Sequence, residues 1–144
     1  MWVDAIQLKE PNGQWSLKTC AYFSSANLQH HKDQVVTMID GSTWALVQES
    51  RHKGFCHNRF RPNLIIGCEE KEPGISPWVT VLGIGNAKFF LVEKKSICHE
   101  NCPLFQYNGM ICFWKSKILY ARIRQPGQVC LGDEVVTDVG KAPD

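Results

Sequence analysis

Long apolar runs are what this chain of 144 residues most plainly lacks. Its longest ones span only a few residues, where a helix crossing a bilayer needs about 20. The sequence therefore predicts a soluble protein with no membrane partner. An excess of one charge is missing too. Sixteen Lys and Arg against fourteen Asp and Glu leave a net charge of +2, and a nucleic-acid partner would call for a basic stripe or a patch on one face. The nearest feature is Arg59-Phe60-Arg61. The opening Met1-Trp2-Val3-Asp4-Ala5 shows no basic region followed by an apolar core and a small-residue cleavage site, so a cytoplasmic location is expected. No internal repeat or low-complexity tract is visible. A cysteine framework is absent as well: Cys20, Cys56, Cys68, Cys98, Cys102, Cys112 and Cys130 are odd in number and irregularly spaced. A reducing compartment would keep them as thiols, most of them small buried hydrophobes.

What is present is a globular balance, with 44% hydrophobic and 21% charged residues. That excludes extensive disorder. A chain of this length fits one domain, burying roughly two thirds of its unfolded surface. Alternation from Trp2 to Leu8 and from Trp15 to Phe23, around Pro11-Asn12-Gly13, predicts a hairpin. Val35–Ile39 is a short β-branched strand. Asp40-Gly41-Ser42 then offers a helix start with Ser42 as N-cap, the helix running to Arg51 and Gly54 closing it. Pro62 sets an extended approach to a buried strand at Leu64-Ile65-Ile66.

Glu69–Pro77 reads as an exposed acidic loop. Trp78–Ile84 and Ala87–Glu93 form two strands around Gly85-Asn86, a two-residue loop with glycine first, as a type II′ turn requires. Because a strand follows Gly83-Ile84-Gly85, that stretch is no dinucleotide fingerprint. Met110–Trp114, Leu119–Arg124, Val129–Leu131 and Glu134–Val136 complete the strands, and the tail past Asp138 is expected to be loose. About seven to nine short strands and one or two helices, with turns roughly every 8–12 residues, predict a mainly β barrel.

The chemistry-bearing stretch is Lys95-Ser96-Ile97-Cys98-His99-Glu100-Asn101-Cys102-Pro103, directly after the second strand of that hairpin. If the chain turns helical after Cys98, Cys98 and Cys102 share a face and both sulfurs can meet one ligand. Lys94 and Lys95 nearby would favour a thiolate at Cys98. Arg59 and Arg61, alternating around Phe60, would point to one side of an extended segment and present donors suited to a phosphate. Asn63 would order the backbone at that bend or contact the same ligand. Each has a plainer alternative: a buried thiol for Cys98 and Cys102, a solvent-facing turn residue for His99, a solvated strand edge for the arginines. His30, His31, His52 and His57 read as surface residues, with His57 beside Arg59 able to help an anion site. Asp133 after Gly132 reads as a turn stabiliser. Cys98, Cys102, Cys112 and His99 also give a zinc-type C-x3-C set, but the knuckle glycines are missing and zinc is not expected.

In order along the chain stand Arg-Phe-Arg-Pro-Asn-Leu from Arg59, Leu-Gly-Ile-Gly from Leu82, the strand leading to Cys98, and Gln-Pro-Gly-Gln-Val-Cys-Leu-Gly-Asp-Glu-Val from Gln125. In this joint order the chain resembles the MOSC domain, named for the C-terminal domain of molybdenum cofactor sulfurases, in its small stand-alone bacterial form. The match runs from about Val35 to Val136. The resemblance implies a strongly bent β barrel of the MOSC and pyruvate kinase barrel-domain type in a single domain. It also implies a Cys98 that carries transferable sulfur or ligates the molybdenum of the pyranopterin (molybdopterin) cofactor. Cys102 would be a resolving thiol or second ligand, and Arg59, Arg61, Asn63 and His99 would be cofactor contacts. Members of the wider family reduce N-hydroxylated compounds, and others pass sulfur to metal centres. The implied partners are a cysteine desulfurase or a redox protein, with no dependence on pyridoxal phosphate.

The Gly-Asp-x-His segment usual before the first helix is absent, Ala21–Asp33 offering only His30 and His31. A second reading follows from that gap: a cofactor-free binding or regulatory module that keeps the barrel. On the first reading, the Cys98 sulfur and at least one guanidinium should face each other across a cleft at about 8–15 Å, as a pocket of ordinary size demands.

Overall fold

The computed structural model describes the chain except residues 30, 32–33, 71–73, 77–78, 95–98, 105–111, 113 and 139–144. The order is β1 (Trp2–Lys9), β2 (Trp15–Lys18), β3 (Cys20–Phe23), β4 (Val36–Asp40), α1 (Gly41–Glu49), α2 (Phe55–Arg59), β5 (Leu64–Gly67), β6 (Val81–Ile84), β7 (Ala87–Val92), β8 (Leu119–Gln125), β9 (Gly127–Cys130) and β10 (Val135–Asp138). A 3-10 turn at Lys115–Lys117 precedes β8. The protein is mainly β, as its alternating segments require. Among the described residues no helix is long and apolar enough to cross a membrane.

Eight strands make one mixed sheet in the order β10-β6-β7-β8-β4-β5-β1-β2, and β3 pairs with β9 in a separate ribbon. Neither sheet is closed into a barrel by its strand pairs. The large sheet nevertheless curls until the start of β1 meets the approach to β10: the Val3 N–H donates to the Asp133 carbonyl at 2.9 Å, and the Val135 N–H to the Met1 carbonyl at 3.0 Å.

Only β4 and β5 run parallel, joined through α1 and α2. Strands buried on both faces tend to read as continuous apolar runs; β5 does so as Leu64-Ile65-Ile66, while β4 carries Thr37 between Val36 and Met38. Val36 and Met38 of β4, with Leu64 and Ile66 of β5, enter the main core beside Phe23, Phe89 and Val129. Ile39 and Ile65 face the other way, against Trp44, Val47, Trp114 and Ile118. Fixed inside this second cluster, α1 holds α2 at the sheet's outer face.

Several local expectations differ from the fold. The strand expected over Trp15–Phe23 breaks at Thr19: β2 stays with β1, while β3 leaves to pair with β9. Ser42 does not cap α1. Asp40 does, its carboxylate accepting the Thr43 N–H at 2.8 Å and both the Ser42 and Thr43 hydroxyls at 2.6 Å. Burial pushes that carboxyl up, but the two hydroxyls, the Thr43 N–H and the Lys117 charge outweigh it and hold Asp40 below its ordinary value. The Gly85-Asn86 loop follows expectation, with Gly85 at φ 58° and Ile84 opposite Ala87. The stretch expected as a strand over Met110–Trp114 lies largely outside the described residues, and Trp114 itself leads into the 3-10 turn.

The cysteines depart furthest from expectation. Cys20 and Cys130, directly opposite each other in β3 and β9, form a disulfide across 110 residues. Cys56, Cys68, Cys102 and Cys112 are thiols. Strand register overrides spacing here: the ribbon places the two sulfurs side by side although no pattern in the chain announces it.

Candidate functional site: a thiol–imidazole cluster beside a cationic cavity

The site grows from α2. Gly54 precedes this short helix, and its N–H donates to Nδ1 of His57 at 3.1 Å, folding the ring back over the first turn. An accepting Nδ1 leaves the proton on Nε2, so His57 presents a neutral N–H. Burial, assisted by the charge of Lys53, lowers the His57 pKa from its ordinary 6.5. The ring packs edge-on against Trp114 at 5.3 Å, and Trp114 packs against Phe60 at 5.5 Å. This aromatic stack fixes His57 from behind. Within it, Nε1 of Trp114 is buried with no hydrogen-bond partner among the described residues.

Gly54 is required by close approach. A Cβ built there would stand 2.6 Å from the Cys102 sulfur and 3.3 Å from Leu104 Cδ1. The segment containing Cys102 thus lies directly on α2. His99–Cys102 is a turn, and helical residues begin only at Pro103–Leu104. The Cys102 N–H donates to the His99 carbonyl at 2.9 Å, and the Asn101 N–H to His99 Nδ1 at 3.1 Å, so the His99 side chain caps its own turn. The result is a group of three thiols and two imidazoles, Cys56, Cys102, Cys112, His57 and His99, around a cavity of about 20 Å³ that Lys115 also lines. Such a space holds a single water at most.

His57 also lines a second cavity, of about 310 Å³, with Gln7, Gln48, Lys53, Asn58 and Arg61. Two cations, three amides and a neutral imidazole meet there, and no carboxylate is among the described lining residues. A larger cavity of about 560 Å³ beside the start of α1 carries Asp40, Glu69 and Glu70, which disfavours an anionic ligand. Of these two, charge favours the smaller cavity for a phosphate.

Of the residues singled out in the sequence, His99 and Cys102 come together at the thiol cavity and Arg61 at the cationic one. Arg61 also donates to the Phe60 carbonyl at 3.0 Å. Arg59 does not alternate with Arg61 along an extended segment, because α2 continues through it and the Phe60 N–H closes on the Cys56 carbonyl. Its guanidinium lies over the Phe55 ring at 5.5 Å, and that ring meets His99 at 5.6 Å. Asn63 is buried and spent on backbone: Oδ1 accepts the Thr37 N–H at 2.9 Å, and Nδ2 donates to the Gln7 carbonyl at 3.1 Å. It orders the bend. Cys98 lies outside the described residues, and with it the expected separation from a guanidinium and the fourth member of the zinc-type set. Among the described residues no group of three or more His, Cys, Asp or Glu is arranged to hold a metal ion.

Two histidines expected at the surface are buried. His31 sits 8% exposed beside Trp15, its Nε2 accepting the Lys9 N–H, and His57 is 9% exposed. Lys53 and Cys56 join the site without a motif of their own in the sequence. The signal was the connection His52–Asn58, dense in ring nitrogens with one thiol, where Gly54 permits the close packing. Asp133 takes the expected turn role, accepting the Cys130 N–H at 2.8 Å. No protein-family model matches this chain. No curated protein matches it significantly.

Proposed function

We propose that this protein is a MOSC-like domain acting in molybdenum cofactor or sulfur-transfer chemistry, with Cys98 as the sulfur carrier or molybdenum ligand. The observation that carries the reading is the shared wall: His57 lines both the thiol group and a cavity whose polar lining consists of cations, amides and one imidazole N–H. Arg61 and Lys53 would hold the phosphate end of the pterin, with His57 Nε2 and the amides of Gln48 and Asn58 supplying hydrogen bonds. Bound molybdenum would supply oxygen-atom and electron-pair chemistry, and a thiolate is the ligand a soft metal or a sulfane sulfur needs. Cys102 and His99 stand next to Cys98 in sequence and close the site against α2. The contact between β1 and the approach to β10 supports reading the curled sheet as the strongly bent MOSC barrel. On this reading the partner is a cysteine desulfurase or a redox protein, and N-hydroxylated compounds are the substrate class.

One observation favours a second reading, a cofactor-free binding module. His31, from the segment where Gly-Asp-x-His would stand, is engaged with Lys9 and packed near Asn63 and does not line the cationic cavity. Binding of inorganic phosphate and of molybdate-loaded pterin to wild type and to Arg61→Ala separates the two. Loss of pterin binding in Arg61→Ala supports the first reading, and absence of any pterin binding by wild type supports the second.

A further inference from the structure

The Cys20–Cys130 disulfide belongs to the ribbon of β3 and β9, and neither cysteine lines the thiol or the cationic cavity. Alternation sorts that ribbon cleanly. Ala21, Phe23 and Val129 point into the core, whereas Cys20 and Tyr22 are exposed and Cys130 is half-buried. The flanking bond from the Leu131 N–H to the Thr19 carbonyl, at 2.9 Å, makes Cys20 and Cys130 a non-hydrogen-bonded pair, the type in which opposed side chains stand closest. Cys20 also lines a groove of about 430 Å³ with Lys9, Glu10, Lys18, Tyr22 and Asn27. Lys18 pairs with Glu10 at 2.9 Å, which leaves the Lys9 charge as the excess among these three.

We propose that this groove is a thiol–disulfide exchange site, where a small thiol carrying carboxylates docks and reversibly thiolates Cys20. The incoming thiolate attacks the Cys20 sulfur. A new S–S bond forms, the Cys20–Cys130 bond breaks, and Cys130 leaves as a thiolate that takes a proton from water. The reverse step needs no further reagent: the Cys130 thiolate attacks the mixed disulfide at Cys20 and expels the small thiol. Two features direct the attack to Cys20. It is the more exposed residue of the pair and the one that lines the groove, and exchange depends on access as well as on which sulfur is struck. Cys130 has the Asp133 carboxylate at its backbone N–H, 2.8 Å away, and that negative charge repels an arriving thiolate. The inner face of the ribbon stays in the core throughout, so exchange opens the covalent tie without dismantling the fold.

Glutathione serves as the anionic probe and cysteamine as a cationic one, with acid quenching and peptide mapping under non-reducing conditions. In Cys130→Ser, oxidised glutathione should accumulate on Cys20 severalfold faster than it accumulates on Cys130 in Cys20→Ser. Lys9→Glu should slow glutathione by about two- to fivefold, the range of an exposed charge contact, and leave cysteamine no slower. Should a variant fail to fold by near-ultraviolet circular dichroism, the wild-type protein decides: the advantage of glutathione over cysteamine should shrink as salt rises. Adducts forming first on Cys130 or Cys56, equal rates for both probes at low salt, or Cys20 and Cys130 persisting as unmodified thiols in an oxidising glutathione buffer would each overturn the proposal.

Discussion

Replacing Gly54 by alanine tests how the site is assembled. Gly54 has φ −93° and ψ −174°, a backbone that alanine adopts freely, and losing glycine's freedom in the unfolded chain should by itself stabilise by about 0.4–1 kcal/mol. Opposing this, the new methyl would stand 2.6 Å from Cys102 Sγ and 3.3 Å from Leu104 Cδ1. A cysteine sulfur sits one bond from Cβ and has little room to move aside, so overpacking of about 1–3 kcal/mol applies. The net expectation is a loss of about 1–2 kcal/mol, a fall of roughly 2–8 °C in Tm for a chain of this size. Thermal or urea unfolding measures it. The decisive control is Cys102→Ala, which removes the clashing atom: in the Gly54→Ala background it should restore part of the loss, so that the two substitutions are not additive. A Gly54→Ala protein more stable than wild type, or strictly additive substitutions, would refute the packing of the Cys102 segment on α2.

Because the His57 pKa is lowered in the folded protein, the unfolded chain takes up the proton first as pH falls. The stability His57 contributes is full above about 6.5 and is lost as pH falls through its folded value. Urea midpoints should therefore drop on acidification through that window in wild type, and His57→Gln should flatten this component. Asp40→Ala removes the α1 cap and should cost about 0.5–2 kcal/mol by the same assay, with Asp40→Asn retaining much of the capping. Limited alkylation of the unreduced protein should label Cys98 ahead of Cys56, Cys68, Cys102 and Cys112, read by peptide mapping. Labelling of Cys56 first, with Cys98 inert, would remove Cys98 from its assigned role.

Features carried by neighbouring residues were legible in the sequence, and features set by distant ones were not. The Gly85-Asn86 hairpin is local, since a two-residue loop with leading glycine needs nothing from elsewhere. The doubly buried β5 follows from Leu64-Ile65-Ile66 alone. The break at Thr19 is different: the alternation from Trp15 to Phe23 is only rough and names no end point, and pairing with β9, far along the chain, separates β3 from β2. The same pairing makes the disulfide, whose partners no spacing identifies. Asp40 and Ser42 are both competent caps, and the end of β4 decides between them. Burial of His31 and His57 is not legible in the sequence because a buried polar ring depends on specific partners, the Lys9 N–H for His31 and the Gly54 N–H for His57. Of the site, the sequence marked Arg61, His99 and Cys102. It treated Arg59 as extended because one turn of helix is too short to leave a periodic pattern.

The most direct test of the central claim is elemental and cofactor analysis of the protein purified from its own host, alongside Cys98→Ser and Arg61→Ala. The account predicts molybdenum with its pterin, or sulfane sulfur on Cys98. Either is lost in Cys98→Ser, pterin is reduced in Arg61→Ala, and neither depends on zinc. Protein that carries no molybdenum, pterin or sulfane sulfur, or that instead holds a stoichiometric zinc whose removal unfolds the chain, would contradict it.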